Sequence, residues 1–227
     1  MRSEQFELCL ATLRRLQKSG VLQELVLIGS WCLPVYGAYF RGVGQIYAVK
    51  TRDMDFLVPP TAKFRGTVHI PDLLKDLGFI TGFHGDKGYM FLQHPELMIE
   101  FLTPERGRGS DKPKDLPALG MNAQPLRFLD MLLEDPMHLR FDSIPVTVPQ
   151  PAAFSLQKLL VAPRRKGAEK RAKDIATAVT ILGLIDKKGE WASVQRVLSR
   201  FPKSWKRMVL KVLTEADHAE LAQRLRG

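Results

Sequence analysis

Two aspartates separated by one residue stand in a strand-like stretch of the sequence. Asp53 and Asp55 alternate with the apolar Met54 and Phe56, and Pro59 follows soon after. Since alternate side chains of a strand point to the same face, both carboxylates are expected on one face while the apolar residues enter the core. Mg²⁺ is typically held by one or two carboxylates together with substrate phosphates, so the pattern indicates a magnesium site. The alternative is a solvated strand end that carries two acids.

A third carboxylate lies inside a later apolar stretch, at Glu100 within residues 97–102. A carboxylate among apolar neighbours is costly to bury without a partner. Glu100 therefore fits either the third ligand of a metal cluster, reached from an adjacent strand, or an edge-strand acid that faces solvent.

A short apolar run, residues 25–28, ends in Gly29-Ser30 and is followed by a helix-like segment. Glycine lets the backbone approach a ligand, and the start of a helix offers free N–H groups and partial positive charge, which suit a phosphate. Ser30 has a second interpretation as an ordinary helix N-cap. The sequence contains no G-x-x-x-x-G-K-[ST], so this is not a P-loop.

The order of these segments carries a family resemblance. A predicted strand ends in Ile28-Gly29-Ser30 and is followed by a predicted helix. A D-x-D strand comes next, at Asp53-Met54-Asp55-Phe56, and Glu100 is the acid in a later strand. This resembles the nucleotidyltransferase superfamily with the DNA polymerase β-like fold. The resemblance implies a mixed sheet with flanking helices, and transfer of an NMP from an NTP to an acceptor hydroxyl with release of pyrophosphate.

The last third of the chain adds a second likeness. Its pattern consists of Phe154-x-x-x-Lys158-x-x-x-Ala162, then Arg164-Arg165, then Lys170-x-x-Lys173-Asp174. It resembles the C-terminal pattern of the AbiEii-type minimal nucleotidyltransferases, in which a helical Lys and a later Lys-Asp pair face the active site. The alternative for Asp174 is a helix-surface acid that pairs with Lys170 at i,i+4 spacing.

The resemblance implies catalytic roles for the three acids. Asp53 and Asp55 would hold two Mg²⁺ ions, with Mn²⁺ as a substitute, and two ions roughly 3.5–4 Å apart can steady both the attacking and the leaving oxygens. Glu100 would hold the ion that activates the acceptor hydroxyl and would accept its proton.

It also implies roles in binding the nucleotide. Gly29 and Ser30 would cradle the triphosphate, and Lys158 would neutralise charge on the leaving pyrophosphate. Asp174 would orient Lys158 or Arg164.

A positive charge surplus indicates an anionic partner. Lys and Arg total 34 and Asp and Glu 24, which leaves a net charge of +10 and a pI near 9.8. The basic stretch at 164–173 could be an ordinary solvated face or could follow a phosphate backbone, with Arg164, Arg165, Lys170 and Lys173 as the nucleic-acid contacts. A second basic patch at helical spacing consists of Lys203, Lys206, Arg207 and Lys211.

The predicted elements that position these residues are strands and helices before Pro151 and helices alone after it. Helical spacing predicts a helix over residues 3–19, capped by Ser3 and stopped by Gly20, and strand-like runs at 25–28, 54–58, 79–83, 89–93, 97–102 and 146–148. Helices are further expected at 31–40 and 71–77, and a mobile surface loop at 106–117. Residues 152–162, 168–184, 190–199 and 205–225 are all helix-like. We therefore expect an α+β fold, with a nucleotidyltransferase domain at 1–150 and a helical domain at 151–227.

Composition excludes several classes of protein. Hydrophobic residues make up 45% and charged residues 26% of the chain, as in ordinary globular domains. No apolar run reaches the roughly 18 residues of a membrane helix, so no membrane partner is expected. Cys9 and Cys32 fit no metal or redox spacing, the start MRSEQFE is polar, and we expect a cytoplasmic protein. The five histidines, at 69, 84, 94, 138 and 218, show no ligand spacing.

Three functions remain open at this point. The first is an active metal-dependent nucleotidyltransferase whose acceptor is RNA or tRNA, as in the toxin branch with its antitoxin partners, or a protein hydroxyl. The second is a catalytically idle module that binds a nucleotide or RNA. The third is a nucleotidyltransferase that modifies a small molecule such as an antibiotic.

Overall fold

Strands dominate the first two-thirds of the chain and helices the last third, which confirms the predicted α+β class. The computed structural model describes residues 3–46, 51–105 and 112–226. Within them the strands are β1 (Val26–Ile28), β2 (Asp53–Leu57), β3 (Ile80–His84), β4 (Tyr89–Gln93), β5 (Met98–Pro104), β6 (Lys114–Leu116), β7 (Met121–Leu126), β8 (Met137–Phe141) and β9 (Ile144–Val148). The helices are α1 (Glu4–Lys18), α2 (Cys32–Tyr39), α3 (Ile70–Leu74), α4 (Pro151–Val161), α5 (Ala168–Lys187), α6 (Trp191–Ser199), α7 (Lys203–Glu215) and α8 (Ala219–Arg226). None of these helices is long and apolar enough to cross a membrane.

Contacts divide the chain into two units, each treated separately below. Unit 1 comprises residues 1–35 and 47–149, and unit 2 comprises residues 36–46 and 150–227.

Seven strands of unit 1 form one mixed sheet. Five of them follow the order β1-β2-β5-β4-β3, while β7 pairs with β5 and β6 pairs with β7. The pairs β2–β5 and β5–β7 are parallel, and the remaining pairs in the sheet are antiparallel. The acid-bearing strands β2 and β5 are therefore direct neighbours near the middle of the sheet.

One face of this sheet is packed with apolar side chains. Met54 and Phe56 of β2, with Ile99 and Phe101 of β5, are at most 1% exposed. The rings of Phe56 and Phe101 stack with their centroids 5.9 Å apart. Burying each such side chain contributes about 1.5–3 kcal/mol, so this packing fixes which face of β2 and β5 is turned away from the core.

Helix α1 forms as its sequence predicts. The Ser3 hydroxyl accepts a hydrogen bond from the backbone N–H of Phe6, and Gly20 beyond the helix has a φ of +74°. Its buried side chains are Cys9, Leu10, Thr12, Leu13 and Leu16. Burial raises the pKa of the Cys9 thiol, so this cysteine is held as the neutral thiol.

Two expectations about local structure were wrong. We expected a mobile loop at 106–117, but residues 114–116 form β6, because Leu116 is buried and the strand pairs with β7. Residues 106–111 lie outside the part of the chain that the structure describes. The helix expected over 205–225 is two helices, α7 and α8. Asp217 between them has a φ of +60°, which an α-helix does not accommodate.

A polar cluster in unit 2 ties residues 36–46 to the helices of that unit. The Tyr39 hydroxyl donates to the Glu190 carboxylate at 2.6 Å, and the Lys188 ammonium lies 3.9 Å from the centroid of the Tyr39 ring and pairs with Glu190. Partial burial alone raises the pKa of Glu190, but the hydrogen bonds from Lys188 and Tyr39 outweigh it and hold the pKa below its ordinary value.

This lowered pKa predicts a pH-dependent contribution to stability. A carboxyl group whose pKa is lower in the folded state stabilises the fold above its unfolded pKa, and that contribution is lost as the pH falls through the folded pKa. The difference in the free energy of unfolding between the wild type and Glu190→Gln should therefore be largest near neutral pH and shrink between about pH 6 and about pH 3. Urea unfolding at a series of pH values measures it, with Asp115→Asn on the exposed part of β6 as a control for the loss of one charge. A difference that does not change with pH would contradict the prediction.

Candidate active site

One row of residues crosses five strands of the unit 1 sheet in register. The paired residues are Ile28, Asp55, Glu100, Phe91 and Gly82, in that order from β1 to β3. Paired residues on neighbouring strands point to the same face, and neighbouring strands lie about 4.8 Å apart. Asp55 and Glu100 are therefore side by side on the face opposite the apolar packing. Asp53 shares that face, because it lies two residues before Asp55 on β2.

Gly29 is forced to be glycine by the position of the Asp55 carboxylate. A Cβ atom on Gly29 would lie 2.3 Å from Asp55 Oδ2, and the residue has a φ of +69°. Gly29 opens a 3₁₀ turn, Gly29–Trp31, that leads from β1 into α2, and the half-buried Ser30 follows it. In the structure the backbone of Gly29 lies close to the Asp55 carboxylate, and the approach of this backbone to a phosphate stays a prediction.

His84 is a neighbour of the site that was not predicted from the sequence. Its Nε2 lies 3.3 Å from Glu100 Oε1, and its ring is stacked on Phe91. Ligand-spacing rules cannot find this contact, because it depends on the antiparallel pairings of β3 with β4 and of β4 with β5. The available signal was the predicted meander, which brings the end of β3 near the middle of β5.

The two adjacent carboxylates have different neighbours on opposite sides. Asp55 Oδ2 lies against Gly29 on the β1 side, whereas Glu100 Oε1 lies near His84 on the β3 side. Asp53 is exposed at the start of β2 and is in register with Met98. Among residues 3–46, 51–105 and 112–226, no three His, Cys, Asp or Glu side chains are arranged to hold a metal ion. The chemistry of Asp55 and Glu100 still suits Mg²⁺, since they are carboxylates paired in register and this ion is typically held by one or two carboxylates together with substrate phosphates.

Unit 2 contains the other predicted nucleotide-binding residues in a buried ionic cluster. Lys158 Nζ donates to Asp174 Oδ1 and Arg165 Nε to Asp174 Oδ2, both at 2.7 Å. Lys158 is 7% and Asp174 is 4% exposed, so Asp174 is not the helix-surface acid of the alternative interpretation. The contact with Lys158 is one of the two that the sequence predicted for Asp174, Lys158 or Arg164, and the contact with Arg165 is a further one. Removing either partner of the buried Lys158–Asp174 pair leaves an uncompensated charge, so these two side chains depend on each other.

The predicted nucleic-acid contacts lie around the start of α5. Arg164, Arg165 and Lys170 are exposed and Lys173 is half-buried. In the second basic patch, Lys211 lies 3.6 Å from Glu215 on α7, which also pairs with Arg171 of α5. Glu215 thus partly neutralises that patch.

Comparison with known proteins identifies the family. A family model described as "Nucleotidyltransferase" matches residues 8–200. The chain belongs to this nucleotidyltransferase family. The match spans every residue to which a catalytic or nucleotide-binding role was assigned, from Gly29 to Asp174, and it identifies the wider family rather than the AbiEii-type branch. A search of curated proteins finds no match to this nucleotidyltransferase.

The solved structures that match this chain do so at low sequence identity. The structure of ANT(2'')-Ia in complex with adenylyl-2''-tobramycin is 13% identical with a TM-score of 0.45, over 87% of this chain and 99% of that one. An antigenic nucleotidyltransferase-like protein from Paracoccidioides brasiliensis is 15% identical with a TM-score of 0.41, over 89% of this chain and 92% of that one.

The tight packing at Gly29 predicts opposite effects for two glycine substitutions. Gly29→Ala should lower the free energy of unfolding by about 1–3 kcal/mol, because alanine is strained at this φ and its Cβ displaces Asp55. Gly37→Ala is the matched control, since Gly37 lies within α2 and a Cβ atom there would meet no other atom within 4 Å. This second substitution should raise stability by up to about 1 kcal/mol. Urea unfolding measures both values, and equal stability of the two variants would show that the approach of Asp55 does not restrict position 29.

Proposed function

We propose that this protein is a magnesium-dependent enzyme that transfers an NMP from an NTP to an acceptor hydroxyl, on the sheet face that carries Asp53, Asp55 and Glu100. The observation that supports it is the in-register pairing of Asp55 with Glu100, with the Gly29 backbone against Asp55. Membership of the nucleotidyltransferase family supports the same reaction class.

The three carboxylates have the chemistry of a site for divalent cations. Two Mg²⁺ ions, or Mn²⁺ in their place, would neutralise charge on the attacking and leaving oxygens when bound there. Asp53 and Asp55 are the residues assigned to hold both ions and Glu100 the residue assigned to the acceptor side. Side by side, these acids repel one another, and a bound cation removes that repulsion.

The remaining roles in the reaction are binding the triphosphate and activating the acceptor hydroxyl. Gly29 and Ser30 bind the triphosphate through the backbone and hydroxyl of the turn after β1. Glu100 orients the acceptor hydroxyl and takes its proton as the acceptor oxygen attacks the α-phosphorus. The bond from the α-phosphorus to the bridging oxygen then breaks, and its electron pair leaves with pyrophosphate.

The nucleotide-binding roles of Lys158 and Asp174 stay predictions from the family resemblance. What supports them is the pair of hydrogen bonds that Asp174 accepts from Lys158 and Arg165, which orient both cations. A cation that is already held in one orientation loses less entropy when it binds a phosphate oxygen.

For the acceptor we favour RNA, including tRNA. Support comes from the net charge of +10 and from the exposed Arg164, Arg165 and Lys170 near the start of α5. A toxin-like role in the cytoplasm with an antitoxin partner belongs to the same proposal. A small-molecule acceptor is the alternative, and an idle module that binds nucleotide without turnover is a second one.

The proposal is tested by following label from each α-³²P-labelled NTP into total RNA, lysate protein and low-molecular-weight acceptors in the presence of Mg²⁺. Asp55→Asn should lower the rate of transfer about 100-fold or more, because it removes a charge that acts on the transferred phosphoryl group. Asp115→Asn, on β6, is the matched control and should keep the wild-type rate. Transfer that survives in Asp55→Asn would show that the active site is wrongly assigned, and the labelled fraction identifies the class of acceptor.

A further inference from the structure

Two aromatic rings are stacked on the acid-bearing face near the edge of the sheet. The imidazole of His84 lies on the phenyl ring of Phe91, with centroids 4.0 Å apart and planes inclined by 21°. Phe91 is 9% exposed, but the His84 side chain is 47% exposed. One face of the imidazole is thus covered by Phe91 while the outer part is open to solvent. We call His84 and Phe91 the ring platform.

The strand β3 is built to allow this stacking. Gly82 is the in-register partner of Phe91, and a Cβ atom on Gly82 would lie 2.4 Å from the Phe91 ring. The Phe91 ring therefore occupies the space that a side chain at position 82 would fill. His84, two residues further along β3, points to the same face and covers the ring. A glycine inside a strand often marks such a close approach.

The ring platform is next to the acid assigned to the acceptor. His84 Nε2 lies 3.3 Å from Glu100 Oε1. The turn that follows β1 lies against Asp55 on one side of the acid pair, and the ring platform lies beside Glu100 on the other side. The two acids lie between them. A group held at the ring platform is therefore on the opposite side of the acids from the triphosphate.

The chemistry of the ring platform fits a planar ring. Unpaired nucleobases stack on Phe, Tyr, Trp and His side chains, and this stacking tolerates any base because every base has a π-face. Base and sugar hydroxyl belong to the same nucleotide, so a base stacked on His84 brings its own hydroxyl near Glu100. The positive net charge of the chain favours a polyanionic strand in the same place.

We propose that the ring platform binds the unpaired nucleobase at the end of an acceptor RNA strand, by stacking on His84, and so directs the terminal hydroxyl to Glu100. The proposal rests on the proposed nucleotidyl transfer and specifies its acceptor. His84 here contacts the substrate, whereas Phe91 and Gly82 position His84.

The test compares two 5′-fluorescein-labelled RNA oligonucleotides that differ only at the 3′-terminal nucleotide, which carries adenine in one and is abasic in the other. Fluorescence anisotropy at one fixed salt concentration measures their affinities for the full chain, without turnover. The wild type should bind the base-bearing end about 5- to 100-fold more tightly. His84→Ala should abolish this preference, and His84→Phe should retain it, because phenylalanine keeps the stacking surface.

Phe83→Ala is the matched control variant. Phe83 lies on the same strand, is 64% exposed and points to the opposite face, so its loss should leave the preference unchanged. Equal affinities of the wild type for the two RNAs, or a preference that survives in His84→Ala, would overturn the proposal.

The base of the incoming NTP is the other source of a planar ring. This alternative is tested by measuring how tightly the wild type and His84→Ala bind α,β-methylene analogues of the four NTPs. If His84→Ala binds an analogue more weakly than the wild type but keeps the RNA preference, the ring platform binds the NTP and the acceptor role is overturned. Failure of the ring platform is separable from failure of the proposed reaction. The first appears as a lost base preference with label transfer intact, and the second as transfer that survives in Asp55→Asn.

Discussion

The parallel pairing of β2 with β5 is the constraint on which the rest of the acid-bearing face depends. It sets Asp55 beside Glu100 and, through the same alternation, turns Met54, Phe56, Ile99 and Phe101 into the core. A slip of β2 by one residue would turn Met54 and Phe56 outward and bury Asp53 and Asp55. Burying a carboxylate without a partner costs several kcal/mol, so burying both is comparable with the stability of a whole domain. The packing of the core therefore specifies the geometry of the site.

Gly29 and Gly82 each leave space for a side chain from the neighbouring strand. Gly29 leaves room for the Asp55 carboxylate beside the turn that leads into α2, and Gly82 leaves room for the Phe91 ring beneath His84. Side chains at these positions would displace the groups that define the turn after β1 and the ring platform. In unit 2, ion pairs rather than backbone space position the side chains, since the buried Asp174 pairs with both Lys158 and Arg165.

Local patterns in the sequence predicted much of the fold and supplied the candidate site residues, but they did not predict the contacts between distant residues. Alternation around Asp53 and Asp55 predicted β2 and its two faces, and helical spacing with Ser3 predicted α1. The same patterns did not identify β6, since two of its three residues are charged and only the pairing with β7 makes it a strand. The contact of His84 with Glu100 and that of Arg165 with Asp174 were not predicted, for a related reason. Their partners Glu100 and Asp174 lie 16 and 9 positions away, and tertiary packing rather than spacing brings them together.

We propose that Asp53, Asp55 and Glu100 form a cation site that binds the triphosphate together with the turn at Gly29. The most direct measurement is the equilibrium affinity of the α,β-methylene analogue of each NTP, by calorimetric titration, with Mg²⁺ and with EDTA. The account predicts that Mg²⁺ increases the affinity for at least one analogue, and that Asp55→Asn loses this increase while keeping the thermal stability of the wild type. Affinity that is the same with Mg²⁺ and with EDTA, or an increase that persists in Asp55→Asn, would contradict the account.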